Sequence, residues 1–321
     1  MTGSRRPAKR APRRTAAQRY RILKYPWHTP HDYELAKIPH DFYYLTNTPR
    51  AWATSQRPVP PSVHWVPNLD HLPTDVMILH LDQWAPFELS KRFLFLRFRD
   101  SYPGPKIVIN HGCNMVDGCS REVIADLVSG CTMVSNSITA HETWNIPGSR
   151  FIRHGMSPEE WPPTDYARHE VVIVQAYGRI HQEYRNVSGV ELIEKTVPVT
   201  WVGRDRKFNT YNKYRHFLQS SSIFLQPSFA SPNPRSRTEA MLTGLAIVTT
   251  NSHGEDEYIE NGVNGYASND IDELSEFLGY LLANPDQVRK IGRAGRETAQ
   301  TWFHIDRFAE QWNQLLTEVV A

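Results

Sequence analysis

From about residue 19 onward, short apolar runs alternate with stretches whose apolar residues recur at helical spacing. Runs rich in Ile, Val, Leu, Phe and Tyr predict strands at 21–25, 41–45, 63–66, 75–81, 106–110, 132–135 and 151–153. Segments 32–38, 87–98 and 120–128 between them are spaced as helices. A Pro-rich stretch at 156–164 (MSPEEWPPT) then breaks the pattern and reads as a linker. A second series follows, with strands at 171–176, 199–202, 223–226 and 246–249. Its helices fall at 188–195, 211–220, 237–242, 272–283 and 285–301. In 303–319, Phe308, Trp312, Leu315 and Leu316 form one helical face, free to pack on either series. Alternation of this kind implies α/β domains, each a parallel sheet with helices on its faces. The predicted divisions are an arm at 1–18, a first domain at 19–157, a second at 158–302 and a closing helix at 303–321. Ligands of open parallel sheets sit beyond the carboxyl ends of the strands, so two facing sheets would enclose a cleft.

A length of 321 residues and 40% apolar content fit two ordinary domains with buried cores. No window approaches 18 unbroken apolar residues, so no transmembrane helix is expected. The basic start, MTGSRRPAKRAPRRTAAQ, has no apolar stretch behind it and does not read as a secretory signal. Cys113, Cys119 and Cys131 match neither a disulfide framework nor zinc spacing, which points to a reducing, cytoplasmic setting. Charge is unevenly placed. Residues 1–31 hold nine of the 36 Lys and Arg and none of the 34 acids, so a net +2 hides a body at −7. The arm at 1–18 reads as disordered. It is suited to an anionic membrane, on which the protein would sit peripherally, or to nucleic acid; the alternative is a plain solubilising extension. The acidic body offers no broad DNA-binding face.

Candidate chemistry gathers at the strand ends. After the strand at 223–226 comes a loop with three prolines, then a helix that begins near Ser236 and carries Glu239 in its first turns. A helix start offers free N–H groups and partial positive charge, and so suits a diphosphate. Pro234, Arg235 and Arg237 stand at that start. A carboxylate one turn in can accept two hydrogen bonds from a ribose diol. Gly178-Arg179 follows one strand directly, with Arg185 six residues on, and two cations there can neutralise a leaving diphosphate. Gly203 and Arg204 end another strand, where glycine lets a ligand approach the backbone. In the first half, His28 and His31, His80 and Asp82, and Asn110 and His111 end three strands that can point into one cleft. The His28-x-x-His31 pair has metal-ligand spacing, but no third ligand is indicated.

Residues 170–321 resemble the C-terminal domain of GT-B glycosyltransferases of the group 1, or GT4-like, type. The likeness rests on Gly178-Arg179, WVGR, QPS, TEAMLTGLAIVTTNSHGEDEYIENGVNGY and IGRAGRETAQTWFHIDRFAEQWNQLL. DVMILHLDQW, KIVINHG, MVSNS and FIRHGMSPEEWPP resemble the family's first-domain strand ends and linker entry, with His154 in place of the usual Asn. The resemblance implies a GT-B fold: two Rossmann-like domains whose parallel sheets face a central cleft. It implies transfer of a sugar from a nucleoside-diphosphate sugar to an acceptor hydroxyl, with retention and without a metal or other cofactor. Arg179 and Arg185 match the family's diphosphate-holding cations, and Pro234–Ser236 the segment whose N–H groups approach the phosphates. Glu239 matches the second acid of the E-x7-E motif, on the donor ribose. The first acid, which contacts donor-sugar hydroxyls, is replaced by Ser231. His111 is the expected donor-sugar contact; His28, His31, His80 and Asp82 are the acceptor candidates. The glycine-rich turn common after the family's first strand is missing. The acceptor is left open between a small molecule, lipid-linked sugar or glycan precursor and a modified nucleic-acid base. A different class, nucleotide-sugar binding without turnover, is the remaining alternative, suggested by Ser231.

Overall fold

The computed structural model describes residues 19–69, 72–86, 88–112, 119–174, 185–229, 231, 233–251 and 254–321. Its first sheet is built from β1 (Arg21–Lys24), β2 (Asp41–Leu45), β3 (Val63–Val66), β4 (Val76–Leu81), β5 (Lys106–Asn110), β6 (Thr132–Ser135) and β7 (Arg150–Phe151). The order is β3-β2-β1-β4-β5-β6-β7, with every neighbouring pair parallel. Helices α1 (Thr29–Leu35), α2 (Leu89–Ser101), α3 (Arg121–Leu127) and α4 (Ile138–Trp144) connect these strands. The second sheet holds β8 (Val171–Val174), β9 (Val199–Val202), β10 (Ile223–Gln226), β11 (Ala246–Thr249) and β12 (Tyr266–Ala267). Its order is β12-β11-β10-β8-β9, again wholly parallel. Around it lie α5 (Val187–Ile193), α6 (Tyr211–Ser220), α7 (Arg235–Thr243), α8 (Ile271–Ala283), α9 (Pro285–Trp302) and α10 (Ile305–Val320).

Central strands are apolar on both faces because helices cover both faces. All six residues of β4, and all four of β10 and β11, are buried. Helix starts follow side-chain caps: Ser120, Ser137, Thr210 and Asp270 accept bonds from N–H groups of α3, α4, α6 and α8. The periodicity missed α4, whose seven residues span only two turns, and β12, which is two residues long. Strand β7 ends at Phe151, two residues sooner than expected, because Arg153 turns to pair with Glu257 and to lie over the Trp302 ring. Helix α7 begins two residues earlier than read, directly after Pro234.

The chain crosses between the two sheets twice. Beyond β7, Met156 donates its N–H to the Phe303 carbonyl at 2.8 Å, so the outgoing and returning segments run together. A Cβ on Gly155 would sit 2.4 Å from the Phe308 Cβ, so only glycine allows this approach. Helix α10 then packs against the first sheet. Phe308, Trp312, Leu315 and Leu316 are buried in one cluster with Ile22, Phe42, Ile78 and Ile109. The last residues of the chain thus complete the core of its first domain. Among the described residues, no helix is long and apolar enough to cross a membrane.

Candidate active site

Both sheets reverse their strand order at a central pair, β1/β4 and β8/β10, and ligands of such sheets bind at that reversal. A cleft of about 870 Å³ lies between them, lined from both domains. Its second-domain wall includes Arg185, Gly203, Ser231, Pro234, Arg235, Ser236 and Glu239. Its first-domain wall includes Trp27, His28, His31, Arg50, Arg57, Asp82 and His111.

On the second wall, no side chain caps the start of α7. Ser236 is tied back, its hydroxyl 3.2 Å from Gln226 Oε1. Arg235, at the first helical position, is 9% exposed. Its Nη1 and Nη2 have no hydrogen-bond partner among the described residues. Burial pulls its pKa down to about 10, against the nearby Glu34 carboxylate, which raises it. Arg237 is different. It donates to Glu255 Oε1 at 2.6 Å, to Asn233 and Thr249 at 3.3 Å each, and to the Tyr258 hydroxyl. It therefore braces the loops around α7 and does not add charge at the helix start. Arg204 also leaves the site. It pairs with Glu194 at 2.5 Å and Asp205 at 2.8 Å and lies over the Trp201 ring, outside the cleft lining. Gly203 remains in the lining at φ 111°, where its neighbour turns outward. Gly178, Arg179, Cys113 and the basic arm lie outside the described residues.

Glu239 is 3% exposed and shared across the domains. Oε1 accepts from Arg57 Nη2 and Oε2 from the Tyr214 hydroxyl at 2.7 Å. Arg57 comes from the loop between β2 and β3, and sits 4.4 Å from the Tyr211 ring and 5.7 Å from Trp161. Nothing in the pattern of that loop marked Arg57; its partner lies 182 residues away.

The first wall is a set of packed imidazoles. His28 caps α1, its Nδ1 accepting the His31 N–H at 3.3 Å, so Nε2 carries the proton when the ring is neutral. Its ring lies 5.9 Å from that of His111, and the His31 ring 5.6 Å from His111. His111 Nε2 is 3.0 Å from His80 Nδ1. Burial first, and cations second, push all four below the ordinary imidazole range; His28 falls to about 3. They are neutral. His80 is 1% exposed and lies beneath the cleft rather than in its lining, so it cannot touch an acceptor as the sequence suggested. It supports His111, stacks on Trp27 at 5.8 Å, and faces the buried Lys24–Asp32 pair, which closes at 2.5 Å. Asp82 lines the cleft but is bound to Lys91 at 2.8 Å and to the Trp84 N–H. Among the described residues, the lining carries seven Lys and Arg against the two acids Asp82 and Glu239, a reversal of the acidic body.

A family model for glycosyl transferases, group 1, matches residues 199–298, the stretch that forms most of the second wall. The second domain is similar to this family over that stretch. Alpha-maltose-1-phosphate synthase of Mycolicibacterium smegmatis is 30% identical over 41% of the chain, and spore coat protein SA of Bacillus subtilis 28% over 43%. The chain aligns to 35% and 42% of these relatives' lengths. Sucrose-phosphate synthase from Thermosynechococcus elongatus superposes with a TM-score of 0.67 at 14% identity, covering 94% of this chain and 99% of that one. Anabaena HepE, solved with UDP and glucose, superposes at 0.63 and 15% identity, covering 93% and 99%. The fold is GT-B, with two parallel sheets facing one cleft.

Proposed function

We propose that the protein is a nucleotide-sugar-dependent glycosyltransferase that works in this cleft. The observation that carries the reading is the facing of two strand-end walls: an uncapped helix start with Glu239 on one side, neutral histidines on the other. The donor diphosphate lies against the first turn of α7, with Arg185 beside it and Arg179 assigned by its motif. Charge developing on the leaving diphosphate is stabilised there. Glu239 takes the donor ribose. Each of its oxygens has given one lone pair to Arg57 or Tyr214 and keeps a second for a ribose hydroxyl. HepE structures containing UDP and UDP-glucose favour uridine as the base.

His28, His31 and Asp82 form the acceptor side, and His111, oriented by His80, meets the transferred sugar. The bond from the anomeric carbon to the diphosphate breaks, the acceptor oxygen bonds to the same face, and its proton passes to the departing phosphate oxygen. That outcome is retention, and the sequence of steps uses no metal. The test is a thermal-shift panel with UDP, GDP, ADP, CDP and dTDP. A nucleotide at 100 times its dissociation constant should stabilise by about 2.7 kcal/mol, and Glu239→Ala should remove the effect. No shift with any nucleotide would defeat the proposal. Donor binding without diphosphate release, with acceptors supplied, would leave a binding protein only.

A further inference from the structure

The cleft carries more positive charge than a donor diphosphate requires. Among the described residues, Glu239 is matched to Arg57 and Asp82 to Lys91, and no further carboxylate of the lining serves Arg50 or Arg235. Arg50 stacks over Trp27 at 4.1 Å and donates to the Trp27 carbonyl at 3.2 Å, which fixes its charge on the first wall. Arg235 lines the same cleft from α7, buried, with neither terminal nitrogen bonded among the described residues. A buried guanidinium without a partner costs free energy that an anion would recover. Glu34, the acid whose charge acts most on Arg235, is paired with Lys37 at 2.7 Å through Oε2. His28 and His111 line the same cleft as the two arginines. Both imidazoles are shifted downward by burial and then by surrounding cations, Arg235 and Arg50 among them.

Resting on the donor assignment above, we propose that the transferred sugar is anionic, its carboxylate seated against His28 and His111 between Arg235 and Arg50. The loop before α7 supports the donor over the acceptor as the source of the charge. It holds Ser231 where the resemblance calls for an acid on the sugar hydroxyls, and Arg235 four residues later. One negative charge is missing from the sugar side and one buried positive charge is present, which inverts the preference for a neutral hexose. Ser231 can still offer a hydroxyl without repelling a carboxylate.

The experiment compares UDP, UDP-glucose and UDP-glucuronate by calorimetry on the full chain; if the nucleotide panel selects guanine, GDP, GDP-mannose and GDP-mannuronate replace them. The wild type should bind the uronate donor at least about tenfold tighter than the neutral one. Arg235→Gln should bring that ratio near one through a loss of uronate affinity larger than its loss of bare-nucleotide affinity. Ser231→Glu should lower the ratio without loss of the neutral donor, and its response does not depend on how Arg235→Gln folds. Equal binding of both donors by the wild type overturns the proposal, and turnover that then responds to acceptor charge places the anion on the acceptor. An equal loss of bare nucleotide in Arg235→Gln also overturns it, making Arg235 a diphosphate ligand. Failure of every nucleotide to bind defeats the donor assignment instead, and appears before any sugar is compared.

Discussion

The Arg57–Glu239 pair joins the two domains at the floor of the cleft, with both side chains under 5% exposed. Arg57→Met removes the cation but leaves the buried carboxylate, with the Tyr214 hydroxyl as its remaining hydrogen-bond partner among the described residues. Breaking a buried pair in this way costs on the order of 3–5 kcal/mol. For domains of this size, each kcal/mol moves the midpoint by roughly 2–4 °C, so a fall of about 6–20 °C is expected. Glu239→Gln should cost less. The amide carbonyl still accepts a bond, and Arg57 keeps its contacts with the Tyr211 and Trp161 rings, worth roughly 0.5–2 kcal/mol. The double variant buries no unmatched charge, so its loss should fall short of the summed single losses by at least about 1.5 kcal/mol. Urea and thermal unfolding of the four proteins measure the cycle. Losses that add within about 0.5 kcal/mol, or an equal cost for the two single variants, would refute the claim that the pair is buried and coupled.

Acid should destabilise the fold through its histidines. His28, His31, His80, His111 and His154 all have native pKa values lowered, chiefly by burial. Below about pH 6.5 the unfolded chain takes up protons that the native state refuses, so stability falls with pH from there down to about 3. Each histidine adds up to about 1.4 kcal/mol per pH unit, and His80→Gln should reduce proton uptake on unfolding at pH 5 by about one. An unchanged pH slope in that variant would count against it. Arg237→Met should cost roughly 3–5 kcal/mol through the buried Glu255 pair yet leave nucleotide affinity per folded molecule unaltered. A selective loss of affinity would return Arg237 to the diphosphate. Trp312→Ala, in the core beneath the first sheet, should cost about 3–5 kcal/mol and speed hydrogen exchange in β1 and β4. Loosening confined to the second domain would contradict the packing of α10.

Much of the architecture was legible because local pattern determines it. β2, β3, β5, β6, β9, β10, β11 and α6 fall at the residues that periodicity marks. The cleft follows from the parallel alternation, since strand ends and helix starts collect on one side of each sheet. Pro234, Glu239, Gly203 and His111 were readable for the same reason: each stands directly after a strand or at a helix start. Arg237 and Arg204 were misplaced by that logic, because position near a strand end does not say which neighbour a long side chain will reach. Their partners, Glu255 and Glu194, are known only once the loops are folded.

The chain's own pattern therefore determined two successive parallel α/β units, the strand ends that bear the chemistry, and the motif of the second domain. Those are properties of spacing over a few turns. Tertiary structure alone decided that α10 completes the first core, that His80 lies beneath His111, that Arg57 reaches Glu239, and that Arg235 is buried with no hydrogen-bond partner among the described residues. Each depends on residues tens to hundreds of positions apart, brought together by burial that no local window records.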